Sequence, residues 1–478
     1  MPRLFPLFLC ALLVVTGRPV AAEVALPDIG ESSMTALSRQ EADRIGSEIV
    51  QRMRRQGRLL EDPQVEAYVQ DLGRRLASFS DRAGGAFTFF VVNDRTVNAF
   101  ALPGGYIGVH TGLILTTEDE GELAAVLAHE IAHVSQQHIA RGLEKANEMN
   151  LPMTAALIAA LLLGAQDAEV GRAAVAATTA GAAQARLNFT RSHEREADRI
   201  GMGVLARSGY DPEAMPSFFG RMLEHGRYYP DGLPELLRTH PVTTSRIADA
   251  RHRLNEYERQ GEKQADQLSY RHARARLEAL SAEDPAALVD RLEANGAGDE
   301  SAEPTDRYRL ALAHRAAGEP GRALQLLERL SEAYPDRLAF TLARIETALQ
   351  DGQSERAVAA CRPVLELYPE YPPLTLLCAR GLIAEGAEQE AIDRLRPLQR
   401  GDDTPPAVYR VLAEAEDHRG HEAAGHIALS QYYFAMGEPG TALTQLTIAE
   451  RSDGLDFYQR SRIEALRQRY QQALDEAG

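Results

Sequence analysis

From Ser38 onward the polar and apolar positions of the chain first fall into a helical pattern. Ser38-Arg-Gln-Glu41 has the spacing of a capping box, and Ile45, Ile49 and Met53 follow at four-residue intervals, which predicts a long amphipathic helix. Residues 87–92 (FTFFVV) are aromatic and β-branched. Tyr106 to His110 forms a second candidate strand, separated from Ala99-Phe100-Ala101-Leu102 by Pro103-Gly104-Gly105. Together these segments predict a small antiparallel sheet. Thr117, with Glu120 three residues on, predicts the cap of another helix whose buried face carries Leu123, Val126, Leu127, Ile131 and Val134. Residues 151–165 are nearly uncharged and 173–185 are Ala-rich, but neither reaches the roughly 18 apolar residues of a spanning helix. They read as buried core helices, or alternatively as a lid over a cleft or a surface making peripheral membrane contact.

The second half repeats itself. Gly318, Gly352, Gly386 and Gly420 recur every 34 residues, Ala323, Ala357 and Ala391 keep a fixed offset from the first three, and Tyr334-Pro335 returns as Tyr368-Pro369. A 34-residue period with a glycine turn between two helices predicts tetratricopeptide repeats, whose concave face binds protein or peptide. The phase breaks near Gly437, so the last repeats are expected to be irregular. Residues 294–305, rich in Gly and acids, mark a linker or loop near the start of the array.

At 478 residues the chain has room for about three domains. A net charge of −17 disfavours nucleic acid as a partner, because phosphate binding needs clustered Lys and Arg. Arg3, the apolar run from Leu4 to Val15 and the small residues Val20-Ala21-Ala22 read as a secretory signal cleaved near Ala22. Cys10 leaves with it. Cys361 and Cys378 remain, an even count that permits one disulfide in an exported protein without demanding it.

The strongest chemical signal is His129-Glu130-Ile131-Ala132-His133. On a helix, histidines four apart share one face and can bind one metal ion, and Glu130 beside them is placed as a general base for metal-assisted hydrolysis. A metzincin would continue with Gly at 136 and His at 139, whereas this chain has Gln136 and Ile139, with His138 one position early. The third ligand is instead expected from a carboxylate on a second helix. Glu194 and Asp198 lie one turn apart on one face, Glu194 as ligand and Asp198 orienting a histidine from behind, while Glu196 points away.

The run from Asn98 to Leu113, the His129–His133 motif, Glu194-Arg-Glu-Ala-Asp198, Thr239-His-Pro241 and Ser245-Arg-Ile247 resemble, in this joint order, the BepA-type periplasmic metalloproteases, grouped with the HtpX and CAAX prenyl endopeptidases. The resemblance implies a periplasmic zinc endopeptidase with one Zn2+ per chain, concerned with quality control or assembly of outer-membrane proteins. It implies His129, His133 and Glu194 as metal ligands, Glu130 as the catalytic residue and His240 as a residue reaching the active site. His240 would close the fourth position on the metal, stabilise the oxyanion, or serve structurally. Arg246 would bind the substrate carbonyl or pair with an acid.

The expected architecture is mainly α: a signal peptide (1–22), a gluzincin-like metalloprotease domain with a small antiparallel sheet (23–265), a helical connector or degenerate repeat (266–305) and a tetratricopeptide-repeat α-solenoid (306–478). Unfolded or stalled envelope proteins are the expected clients, pairing as extended chains through the main chain with an exposed strand at Asn98 to Leu102, where Asn98, Ala99 and Phe100 are candidate substrate-binding residues, or at Tyr106 to His110. The outer-membrane assembly machinery is the expected partner of the repeats. The competing reading is a chaperone or scaffold whose zinc site is mostly closed.

Overall fold

The structure is a computed structural model that describes residues 37–81, 86–148, 180–228, 235–257, 267–401, 404–452 and 454–477. The signal segment 1–22, the stretch 151–165 and most of 173–185 lie outside the described residues.

Helix α1 (Arg39–Arg55) starts where the capping box predicts, with the Ser38 side chain accepting from the Glu41 amide at 3.2 Å. Helix α2 (Pro63–Ala77) is capped by Asp62. Three strands follow, β1 (Thr88–Val92), β2 (Ala99–Ala101) and β3 (Tyr106–His110). The sheet expected to be antiparallel is mixed. Strand β3 lies between the other two, parallel to β1 and antiparallel to β2. The hairpin through Pro103–Gly105 supplies the β2–β3 pair, and by inserting β3 beside β1 it leaves β2 on the edge. Both faces of β1 are covered: Phe90 and Val92 pack with Ile49, Val50 and Met53 of α1, while Phe89 and Val91 join the main core with α2. Two-sided burial is why the strand reads as an unbroken apolar run.

Helix α3 (Thr111–Thr116) is short, and α4 (Glu120–Ser135) runs through the middle of this core, buried along nearly its whole length. Its cap is Asp119, which accepts from the Glu122 amide, and not Thr117. Thr117 closes α3 instead, its hydroxyl shared between the Ile114 carbonyl and Tyr270. Around α4 are α5 (His138–Glu148), α6 (Ala180–Arg207), α7 (Ala214–Tyr228), α8 (Glu235–Thr239) and α9 (Thr244–Arg253). Gly201 allows α6 to lie against the motif: a Cβ there would stand 3.2 Å from the Ala128 carbonyl carbon and the His129 nitrogen.

The remaining helices pair in sequence: α10 (Leu268–Leu280) and α11 (Pro285–Ala294), α12 (Pro304–Ala316) and α13 (Pro320–Ala333), α14 (Leu338–Gln350) and α15 (Ser354–Leu367), α16 (Pro372–Ala384) and α17 (Glu388–Leu395), α18 (Pro406–His418) and α19 (Glu422–Ala435), then α20 (Pro439–Arg451) and α21 (Phe457–Ala477). The four glycines of the 34-residue period all end a first helix at φ between +71° and +78°, a left-handed conformation that favours glycine. Gly437, at φ +77°, repeats the turn after only half a period, so α19 closes one pair and faces the next. Cys361 on α15 and Cys378 on α16 are disulfide-bonded, with Cα atoms 5.7 Å apart. Among the described residues no helix is long and apolar enough to cross a membrane.

Helix α10 belongs to both halves. Tyr270, Ala273 and Leu277 are buried in the core around α4, while Ala275 and Ala279 pack with Tyr308 and Phe340 of the repeats. Between these faces the buried Arg276 binds Asp62 at 2.8 Å and Glu346 at 2.7 and 2.9 Å. Further along the array, the carbonyls of Ala435 and Gly437 accept from Arg54 and Arg55 of α1.

Burial alone would raise the pKa of Glu346, but Arg276 and Arg315 bring it down to about 2. A depressed carboxylate contributes stability above its unfolded pKa and loses it as the folded group titrates. Glu346→Gln is therefore expected to cost about 3 kcal/mol at neutral pH, with the gap to wild type closing as pH falls from 4.5 towards about 2. Urea unfolding at several pH values checks this, and a gap independent of pH would refute it.

Candidate metal centre and active site

Helix α4 presents His129 and Glu130 on one turn and His133 on the next, and α6 carries Glu194 and Asp198 opposite them. His240 enters from the turn between α8 and α9, its amide bonded to the Leu236 carbonyl at 2.8 Å. One donor atom from each of His129, His133, Glu194 and His240 lies within 4.8 Å of the others. The two Nε2 atoms of His129 and His133 face each other at 3.0 Å, and Glu194 oxygens stand 3.4 and 3.5 Å from them. Tetrahedral ligands about 2.0–2.1 Å from one ion are roughly 3.3 Å apart, so the spacing suits a single bound cation.

The electrostatics agree with that fit. Burial lowers the pKa of His129, but Asp198 and Glu194 outweigh it and raise it to about 10. Burial would raise Glu194, yet His240 and His129 hold it well below the ordinary carboxylate range. The pocket thus favours positive charge at the point where the donor atoms converge. Three imidazoles and one carboxylate are a donor set for a borderline divalent metal.

Asp198 accepts from both arms of Arg246, at 2.7 and 2.8 Å, and lies 3.0 Å from His129 Nδ1. It thereby orients the imidazole whose Nε2 faces the cluster. Arg246 also contacts Glu194 at 2.9 Å, stacks over Phe219 and is only 4% exposed. The expectation that it binds the substrate carbonyl gives way to its other reading, pairing with acids, because its guanidinium is enclosed by Asp198 and Glu194.

Glu130 is buried beside the cluster, and burial raises its pKa above the ordinary value. Its oxygens face His240 Nε2 at 3.5 Å and the Ala101 backbone. A carboxyl buried next to the donor cluster is placed to accept a proton there and return it.

Of the strand residues expected to meet substrate, Asn98 and Ala99 are buried, and Phe100 packs edge-on against Phe90 and His110. These side chains face inward, which leaves the main chain as the part of the strand available for the expected pairing. Tyr106 to His110 is excluded as a pairing edge, since β3 has a strand on each side. The outer backbone edge of β2 remains, unpaired with any described strand and close to Glu130 through Ala101.

Sequence reasoning missed His138 and His193. His138 Nδ1 stands 2.9 Å from His133 Nδ1, its Nε2 is 3.1 Å from Glu196, and its ring stacks on His193 with centroids 4.1 Å apart. The spacing that places His138 one residue early for a metal ligand is the spacing that puts it behind one.

Comparison with known proteins gives independent footing. A family profile described as Peptidase family M48 matches residues 63–254, and one described as Tetratricopeptide repeat matches residues 348–415. The chain is 38% identical over 333 residues to the putative beta-barrel assembly-enhancing protease of Vibrio cholerae, covering 69% of this chain and 68% of the relative. It is 39% identical over 251 residues to the beta-barrel assembly-enhancing protease of Escherichia coli (strain K12), about half of either chain at 52% and 51%. Similarity to the mitochondrial metalloendopeptidase OMA1 of Arabidopsis thaliana is 30% over 219 residues, covering 46% and 39%.

Arg246→Gln would leave Asp198 and Glu194 buried without their shared counter-charge. In the metal-free protein it is expected to lower stability by about 3 kcal/mol, measured by urea unfolding. A divalent ion, which restores positive charge to the pocket, should recover part of that loss. Unchanged metal-free stability would show that the guanidinium is not what holds these carboxylates.

Proposed function

The chain belongs to peptidase family M48 and is a metalloprotease, and we propose that it is a zinc endopeptidase of the periplasm that acts in quality control or assembly of outer-membrane β-barrel proteins. One observation carries the reading: His129, His133 and Glu194 converge with the buried Glu130 beside them. When bound, the divalent metal supplies a Lewis acid that polarises the scissile carbonyl and makes water acidic enough to lose a proton near pH 7. Glu130 accepts that proton and passes it to the leaving amine. Asp198 keeps His129 in one tautomer, and Arg246 keeps Asp198 ionised and holds Asp198 and Glu194 in place.

An extended client pairs through its main chain with the open edge of β2, which accepts many sequences and suits unfolded or stalled proteins. The repeats recruit clients or the assembly machinery, as their likeness to tetratricopeptide repeats and the names of the relatives support. Export by residues 1–22 accounts for the periplasmic placement.

A second reading, a chaperone or scaffold with a mostly closed zinc site, is favoured by His240. Its Nδ1 is 3.4 Å from His129 Nε2 and 3.2 Å from Glu194, inside the donor set and not at its rim. The two readings coexist if the closed arrangement is the resting state of the protease.

Mature protein should contain about one zinc. His129→Ala, His133→Ala and Glu194→Ala should each lower occupancy, whereas Glu130→Gln should keep the metal and reduce casein cleavage by about 10²–10⁴-fold. Cleavage that survives Glu130→Gln would remove the enzymatic mechanism. For the resting state, His240→Ala is expected to raise basal cleavage, because it vacates a donor position. A fall in cleavage would make His240 an oxyanion donor, and no change in cleavage or zinc content would leave it structural.

A further inference from the structure

The two histidines of the motif are supported in different ways. His129 has a carboxylate directly behind it, Asp198 Oδ1 at 3.0 Å from Nδ1. Behind His133 is another imidazole. His133 Nε2 faces the donor cluster and its Nδ1 faces His138 Nδ1 at 2.9 Å. His138 Nε2 lies 3.1 Å from Glu196 Oε2, and that same oxygen accepts from Arg141 Nη1 at 3.0 Å.

Only one direction of hydrogen bonding satisfies this chain when Nε2 of His133 offers its lone pair to a metal. His133 Nδ1–H donates to His138 Nδ1, His138 Nε2–H donates to Glu196, and Arg141 donates to Glu196. We propose that His138 is a positioning residue for the metal site, relaying the hold of Glu196 to His133 and fixing that ligand in its Nε2-binding tautomer and orientation. The inference rests on the reading of His133 as a metal ligand.

Local structure is arranged for this contact. Gln137, between α4 and α5, has φ +54° and is the one non-glycine residue with positive φ among the described residues. An L side chain in the left-handed region costs roughly 1–2 kcal/mol. That turn stops α4 after the second motif histidine and folds α5 back, so His138 returns against His133. The ring is then held on its face by His193, stacked at an interplanar angle of 7°. His193 is the residue before Glu194, so one turn of α6 supplies the third ligand, the platform for His138 and, at Glu196, the end of the relay.

A neutral imidazole also solves an electrostatic problem. Glu130, Glu194 and Asp198 already place three carboxyl groups in the buried site, the last two sharing Arg246. A fourth directly behind His133 would add repulsion where screening is weak. His138 carries the hydrogen bond and leaves the charge on Glu196, whose side chain is 29% exposed and paired with Arg141.

The test uses the full mature chain, with zinc affinity measured by competition with a chromogenic chelator and ligand geometry read from the visible absorption of the cobalt-substituted protein. Removing the relay with H138A, or with H138F, which keeps an aromatic ring on His193 but has no acceptor, should weaken zinc binding about 10–100-fold and change the cobalt spectrum. H138N, whose Oδ1 stands near the place of Nδ1, should restore most of the affinity. Thermal unfolding of the metal-free variants shows whether each is folded. If H133A abolishes tight binding while H138F binds zinc as wild type does, the ring matters only for packing and the relay is refuted, with the ligand assignment intact. If H133A itself binds zinc normally, the ligand assignment fails and the relay fails with it.

Discussion

Glu194 and Asp198 are two carboxylates one turn apart on α6, both nearly fully buried, and the guanidinium of Arg246 is the cation that lies against both. Without it, Asp198 would be pushed towards its neutral form and would no longer serve as hydrogen-bond acceptor for His129, and Glu194, whose charge His240 and His129 also support, would lose the contact that fixes its position. Arg246 comes from α9, so the site needs α4, α6 and α9 to meet in one register. Gly201, which lets α6 approach the backbone of His129, and Phe219, which both Arg246 and the His129 ring contact, are the steric side of the same requirement. Charge balance and close packing therefore constrain the same few residues.

The position of His240 ties this centre to the strand that would hold a client. The Leu236 amide donates to the Val97 carbonyl at 3.0 Å, and the Leu236 carbonyl accepts from the His240 amide. The segment carrying His240 is thus anchored directly to the chain entering β2. An extended segment paired along β2 would lie next to that anchor, two backbone hydrogen bonds from His240.

The repeats are not simply appended. Arg276 on α10 joins Asp62, the cap of α2, to Glu346 in the array, and α10 is itself part of the core that surrounds the motif helix. A buried guanidinium shared by three elements holds them in one geometry, because releasing any partner exposes an unpaired charge to a poorly solvated site. The disulfide between α15 and α16 joins successive helices inside the array itself.

Local periodicity determined much of this protein. The 34-residue recurrence of Gly318 to Gly420 specifies a helix-turn-helix unit, because a left-handed turn at fixed spacing is a property of the backbone alone. The spacing of His129 and His133, and of Glu194 and Asp198, places each pair on one helical face for the same reason. What lay beyond reach depended on partners distant in sequence. β3 and β1 run parallel because β3 inserts between β1 and β2, an arrangement that three short apolar runs do not encode by themselves. Asp119 displaced Thr117 as the cap of α4 because α3 occupies the preceding turn. Arg246 became a buried counter-charge, and Asn98 and Ala99 were enclosed, through contacts of elements far apart in the chain. His138 looked like a ligand one residue out of place because helical spacing assumes that the helix continues. The left-handed turn at Gln137 ends α4 there, and packing against His193 gives His138 its partner. Periodicity reports which residues share a face, whereas burial, charge pairing and strand order follow from which faces meet, and that was decided only when the chain folded.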